Sequence, residues 1–475
     1  MRFEELSPKP DFSKIQPEIL KFWKDDHTFE KSVEQPQGGE VVFYDGPPFP
    51  TGKPHHGTVL VSFIKDMISR YWTMQGYKVP RVWGWDCHGL PIENQAEGLM
   101  GIDNKNDIEK KIGIDVFNDK CFEIVSSNNE AWREYVEQMA RWVDYDGAYK
   151  TMNKDFMESV MWAFKTCYDK GLIYRDYRVT PYCTHCETSL SISDTRESDS
   201  TRPRQDRWIA VKFRTDLTEA GKPVFLLAWT TTPWTLPSNL CLAVGKTLTY
   251  AFVDVGEEIY VACKDTLKNF DKVFGKEPAI IKECAGEDLL GIEYEPLFPY
   301  FADRKADGAF RVVAADYVGA DEGVGIVHTA PAFGEDDYWT CKNNGIPLVN
   351  PVDAKGQFTP EITDFYPLQG DKNVIDMNPT VIRFLYDNGK AVADGSIVHN
   401  YPHCWRCKRP LIYKAMDAYY FNIGKVKDKL IEYNEQINWL PETVQHGRFG
   451  NWLAGARDWN ISRNRYWSTQ IPIWK

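Results

Sequence analysis

Two short runs hold the residues best suited to grip a nucleotide. Asp45-Gly46-Pro47-Pro48 is followed at a fixed distance by His55-His56-Gly57-Thr58, and Gly84-Trp85-Asp86-Cys87-His88-Gly89-Leu90-Pro91 lies further on. A histidine at a helix start can donate to a phosphate that gains charge in a transition state. The N–H groups there are unpaired and the dipole is positive, so an anion is favoured. Gly57 leaves room for a base or ribose to lie against the backbone. The same two histidines could instead serve only as a helix cap.

Two further sets of residues carry chemistry. Cys183-Thr-His-Cys186 and Cys404-Trp-Arg-Cys407 are Cys-x-x-Cys turns, and two such turns complete a tetrahedral zinc site. His185 and His403 stand beside them and could replace a thiolate. Four protein ligands leave no open position, so the metal would be structural. The other set joins Thr230, Thr231, Thr232 and Asn239 to a run from His328 through Asp336 and Asp337. Threonine hydroxyls can hold water and a ribose end, and a nearby carboxylate can grip an ammonium group. Ester hydrolysis needs an oriented water and a fixed carbonyl, not a metal or covalent nucleophile.

The elements that must position these groups are readable in outline. Residues 40–45 are apolar and β-branched and end in Gly-Pro-Pro, which predicts a buried strand. Val59, Leu60, Phe63, Ile64, Met67 and Tyr71 repeat at helical spacing and predict a helix from His56. A second strand is predicted over Lys78 to Trp83. Two strand ends that each carry an aspartate and a turn fit the carboxyl edge of a parallel sheet, where open α/β folds bind ligands. Phe156 to Lys170 is predicted helical. From about residue 200 the pattern changes to short strands: Trp208–Phe213, Val224–Trp229, Thr249–Val255 and Glu258–Cys263. That is the profile of a β-rich module, barrel-like or sandwich-like. More than two hundred residues separate the cysteine pairs, as a domain inserted above a metal-pinned base requires.

Composition sets the outer bounds. The chain has 475 residues, 17 of them Trp, which is ample material for about three domains. A net charge of −12 excludes a generally basic nucleic-acid coat, though not local basic patches. No apolar run is long enough to span a membrane, and Met1-Arg2-Phe3-Glu4-Glu5 has no signal-peptide core. Eleven cysteines without an export signal point to reduced thiols or metal ligands and a cytoplasmic location.

The His55-His56-Gly57-Thr58 segment and Gly84-Trp85-Asp86-Cys87-His88-Gly89-Leu90-Pro91 resemble the class I aminoacyl-tRNA synthetases of the isoleucine, valine and leucine group. The resemblance implies an α/β fold: a Rossmann-like catalytic domain interrupted by a β-rich, barrel-like editing domain. The first half of the catalytic domain would be residues 1–198 and the insertion 199–396. A zinc-binding return and the start of the second half would be 397–475. The threonine run and His328-Thr-Ala-Pro…Asp336-Asp337-Tyr338 resemble the editing domain of the isoleucine branch, and Thr232 before Pro233 sets them apart from the Thr-Thr-Arg-Pro of valine and leucine relatives.

By the same resemblance Gly46 and Pro47 border the isoleucine side chain, Asp86 holds its ammonium group, and Trp467 forms the other wall. His55, Gly57 and Thr58 contact ATP, which enters with Mg2+. Thr230, Thr231, Thr232 and Asn239 line an editing pocket, Asp337 binds the amino group of a misattached valine, and His328 helps exclude isoleucine. The implied partners are isoleucine, ATP and tRNA(Ile), and the implied state is a monomer. Editing answers a limit of binding: one methylene is worth about 1–3 kcal/mol, a limit for which isoleucine enzymes are themselves the standard example. The chain departs from the family pattern in three ways. Thr58 stands where the signature ends in histidine, and Ser468 and Gln470 stand where glycine and proline are usual. No Lys-Met-Ser-Lys-Ser loop or anticodon-binding region is present, which implies a fragment unable to complete aminoacylation alone. The valine enzyme and a synthesis-defective, tRNA-binding paralogue remain alternatives.

Overall fold

The threonine-rich half of the chain is built on strands that alternate cleanly between two cores. In the Lys222–Thr230 strand, Val224, Leu226 and Ala228 enter one apolar cluster, while Leu227 enters another with Phe270 and Phe274. That is the period-two pattern of a strand buried on both faces. The computed structural model describes residues 9–34, 38–102, 105, 107–127, 129–190, 195, 200–321 and 323–474. It divides into two compact units, one of residues 1–174, 421–457 and 464–475, the other of 175–420 and 458–463.

The first unit is mainly helical around a short parallel sheet. Val82–Trp85 pairs in parallel with Asp144–Lys150, and Trp83, Trp85 and Trp132 pack at its centre with Phe117 and Ile124. The predicted strand over 40–45 does not form. Only Glu40 makes a bridge, to Lys78, and the Val41 N–H donates to the Lys78 carbonyl. The strand expected from Lys78 begins at Val82 instead, after Pro80, which has no N–H to give a ladder. The helix from His56 is present as His56–Met74 and the one near Phe156 as Lys154–Asp169. The apolar face of His56–Met74 is turned outward, however. Phe63 is 61% exposed and Leu60, Met67 and Tyr71 are also exposed, while Ser62 and Ser69 are the buried residues.

The second unit holds a six-stranded, mostly antiparallel sheet in the order Ile280–Ala285, Thr249–Asp254, Ile259–Cys263, Lys222–Thr230, Thr201–Glu219, Ala391–Pro402. A three-stranded sheet of Arg311–Ala314, Cys241–Val244 and Ile326–Thr329 shares its larger core, which Val211, Leu226, Leu242, Val244, Phe310 and Ile326 fill. The four strands predicted in this half all form, each within longer or near-identical bounds. A third sheet places Ile173–Cys183 beside Ile412–Phe421, joined by Arg175 to the Asp417 carboxylate at 2.9 Å. Among the described residues no helix is long and apolar enough to cross a membrane.

Candidate functional site

In the first unit the two glycine-rich loops lie together. The Asp86 N–H donates to the Pro48 carbonyl at 3.0 Å, which ties the second loop to the Asp45-Gly46-Pro47-Pro48 turn. Asp45 is held by Lys65 and Arg141, and Lys65 Nζ also donates to the Gly46 carbonyl at 3.3 Å. Gly84 has no freedom to be anything larger: a Cβ there would meet the Tyr149 ring at 2.2 Å. Burial raises the Asp86 carboxyl above its ordinary pKa, against a backbone hydrogen bond from His88 that lowers it.

Trp467 joins this loop from the far end of the sequence. Its indole Nε1 donates to the Cys87 carbonyl at 2.6 Å, and its carbonyl accepts the Gly89 N–H at 3.3 Å. The ring stands edge-on to His88, with centroids 5.5 Å apart. Glu93 holds the arriving backbone. Fully buried, it accepts from the N–H groups of Tyr466 and Trp467 at 2.7 and 2.9 Å. Sequence reading missed Glu93; the signal was an acid in the first turn of the apolar Leu90-Pro91-Ile92 helix start.

His55 and Thr58 act on each other. His55 is the N-cap, and its Nδ1 accepts the Gly57 N–H at 3.1 Å. The Thr58 hydroxyl accepts the His55 N–H at 3.3 Å, which completes a reciprocal capping box. A histidine at Thr58 would not have this short hydroxyl to turn back on the cap.

In the second unit the threonine run, Asn239 and His328 form one buried chain of polar groups. The Thr230 and Thr232 hydroxyls lie 3.1 Å apart, and Thr232 and Thr235 3.3 Å apart. Thr235 meets His328 Nε2 at 2.8 Å, and Asn239 meets His328 Nδ1 at 3.3 Å. Thr231 takes no part in this chain. Burial keeps His328 neutral and pushes its pKa down to about 4. Asp337 lies in the first turn of the Glu335–Asn343 helix, where its carboxylate accepts the Ala330 N–H at 2.9 Å. A Cβ on Gly334 would sit 2.8 Å from that carboxyl carbon. Burial raises Asp337 to about 7, and the neighbouring Asp336 adds to the rise. Asp337 thus offers a carboxyl that an incoming ammonium would return to its charged form. Thr235 and Tyr294, whose hydroxyl donates to Asn239 Oδ1 at 2.7 Å, were not singled out from sequence. Thr235 sits inside the threonine motif; Tyr294 lies far from Asn239 in sequence and gives no signal.

The four cysteines converge. Their Sγ atoms all lie within 4.8 Å of one another, with Cys183 and Cys407 at 3.4 Å. A tetrahedral zinc with bonds of about 2.3 Å needs sulfur spacings of this order. The residue after each pair, Glu187 and Lys408, has positive φ, so both turns curl in the same way. His403 is engaged elsewhere, its Nδ1 2.9 Å from the Tyr401 carbonyl. The donor set fits zinc as four thiolates.

The sequence matches the family described as tRNA synthetases class I (I, L, M and V) over residues 18–475. It is 46% identical to an isoleucine–tRNA ligase of Rickettsia prowazekii over 494 residues, covering 100% of this chain and 45% of that protein. It is 45% identical to an isoleucine–tRNA ligase of Corynebacterium diphtheriae over 481 residues, 98% of this chain and 45% of that protein. The chain therefore spans about half the length of the curated relatives it matches. Among solved structures it is similar to the crystal structure of GlLeuRS-CP1, at 16% identity over 40% of this chain and 99% of that one, with a TM-score of 0.31, too low to carry an argument. With a family match that runs through both units, the chain belongs to the class I tRNA synthetases of the isoleucine, leucine, methionine and valine group.

Proposed function

We propose that the chain carries the amino-acid activation residues and the editing pocket of an isoleucine–tRNA ligase. In the whole protein, isoleucine and ATP with Mg2+ would react to isoleucyl-adenylate and pyrophosphate, and the isoleucyl group would pass to tRNA(Ile). Gly46, Pro47 and Trp467 would border the isoleucine side chain, and Asp86 would hold its ammonium group. His55, Gly57 and Thr58 would meet ATP at the helix start. For His55 to reach a phosphate through Nδ1 it must first release the Gly57 N–H. Cys183, Cys186, Cys404 and Cys407 would hold a structural zinc ion. We place the protein in the cytoplasm as a monomer.

Residues 199–396 would form the editing domain and hydrolyse valyl-tRNA(Ile). Asp337 would grip the valyl ammonium group, and Thr230, Thr231, Thr232 and Asn239 would hold the ribose end and the attacking water. His328 would close the pocket against the larger isoleucyl group. The observation that carries this reading is the neutral, hydrogen-bonded wall of threonines, asparagine and histidine, together with a carboxyl held near neutrality. Identity of 45–46% to isoleucine ligases along the whole chain favours isoleucine over valine.

The test is deacylation by this chain of tRNA(Ile) charged with valine or with isoleucine. Hydrolysis of the valyl form alone, lost on Asp337→Ala, is the expected result. Equal hydrolysis of both esters, or full activity in Asp337→Ala, would sink the reading.

A further inference from the structure

Around His328 the hydrogen-bond partners fix where the protons lie. The Cys241 carbonyl can only accept, and it meets Asn239 Nδ2 at 2.9 Å, so the amide nitrogen must face that way. The same nitrogen faces His328 Nδ1 at 3.3 Å, so Nδ1 has to be bare. At the other end, the Thr235 hydroxyl gives its one proton to the Thr232 carbonyl at 2.8 Å. It can therefore only accept from His328 Nε2, 2.8 Å away. Both ends require the same tautomer, with the proton on Nε2. A histidine that stays neutral in this site agrees with that assignment.

The far anchor of the chain is Tyr294. Its hydroxyl donates to Asn239 Oδ1 at 2.7 Å, on the side of the amide opposite Cys241 and His328. The ring is 3% exposed and lies edge-on to Phe213 and Phe310, at centroid distances of 5.0 and 6.1 Å. Without this donor, Oδ1 would be a buried acceptor with no partner, and only the Cys241 carbonyl would still hold the amide nitrogen toward His328. An amide that turned over to find a donor would give up its bond to the Cys241 carbonyl, present Oδ1 to His328 Nδ1 and call for the opposite tautomer.

We propose that Tyr294 is a positioning residue of the editing pocket: by orienting Asn239 it holds His328 as the Nε2–H tautomer against Thr235, and so fixes the wall that separates valyl from isoleucyl esters. The proposal rests on reading this pocket as a deacylation site, and it adds a residue that touches no substrate.

The test uses the full chain and Tyr294→Phe, which removes one oxygen and keeps the ring. Histidine labelled with nitrogen-15 reports the His328 tautomer by NMR, with His328→Gln to assign the signal and Asn239→Asp as the control that forces the Nδ1–H form. The parent should show Nε2–H, and Tyr294→Phe should show a mixture or the other tautomer. In parallel, the ratio of valyl- to isoleucyl-tRNA(Ile) deacylation should fall about tenfold, the worth of one buried hydrogen bond of about 1.4 kcal/mol. A parent in the Nδ1–H form overturns the proposal even if the variant does not fold. So does a variant that keeps both the tautomer and the ratio of the parent. If the parent hydrolyses neither ester, the deacylation reading fails and the pocket-wall role falls with it, while the tautomer measurement still decides whether Tyr294 orients Asn239 and His328.

Discussion

Asp337 and His328 are both moved from their ordinary titration by burial, in opposite directions with respect to folding. Asp337 keeps its proton up to about 7 in the folded chain but loses it near 3.8 when unfolded. Between those values the folded state binds the extra proton, so this group makes stability fall as pH rises. His328 titrates at about 4 folded and 6.5 unfolded. There the unfolded state binds the extra proton, and stability is lost as pH falls from 6.5 toward 4. The two effects oppose each other in mild acid, and above about 6.5 only Asp337 still acts. Asp337→Asn is therefore expected to raise the melting temperature relative to the parent more at pH 8 than at pH 5; an equal rise at both would contradict a carboxyl whose pKa is raised on folding. The candidate residues could be picked out from sequence because each lies in a short run of unusual types. Glu93 and Tyr294 were not, because each is defined by a partner distant in sequence, 373 residues away for Glu93 and 55 for Tyr294.

At the level of elements, the strands of the second unit were legible because their side chains are buried in a period of two, on one face or both. The strand at residues 40–45 was misread because apolar, β-branched composition does not supply a neighbour; past the single bridge to Lys78 no described residue pairs with it. The helix start at His55 shows a second kind of ambiguity, since cap and phosphate ligand use the same atoms. Thr58→Ala should remove half of the capping box and cost about 0.5–1 kcal/mol. Differential scanning calorimetry is the check, and an unchanged melting temperature would mean that the box contributes nothing. The cysteine turns make a stronger claim. Cys404→Ser should lower bound zinc well below the one equivalent expected of the parent, and should lower the melting temperature, because metal binding to a site absent from the unfolded chain is folding free energy. Metal analysis after gel filtration decides it. Equal zinc in parent and variant would mean that the metal lies elsewhere.

On the scale of the whole molecule, the outward face of His56–Met74 is the largest departure from what periodicity predicts. The pattern was right about the helix and silent about which side would be covered. Ser62 is claimed by the Tyr135 hydroxyl at 3.3 Å and Ser69 bonds back to the Lys65 carbonyl at 3.0 Å, so the polar side faces the unit. Phe63→Lys with Met67→Lys should leave the melting temperature of this chain within a degree or two, as is usual for exposed sites, and should reduce binding of a hydrophobic dye. A large loss of stability would show that the face is packed in solution. The second unit shows a different kind of economy. Its chain arrives along Ile173–Cys183 and departs along Ile412–Phe421, two neighbouring strands of one sheet, with the paired cysteine turns just inside that doorway. A segment whose ends meet can be lengthened, shortened or exchanged with little effect on the path of the host chain, since loop closure costs only about 0.6 kcal/mol per doubling of length. In genetic terms the unit has the makings of a cassette: an exchange between residues 183 and 404 would leave both flanking strands, and with them the path of the rest of the chain, in place.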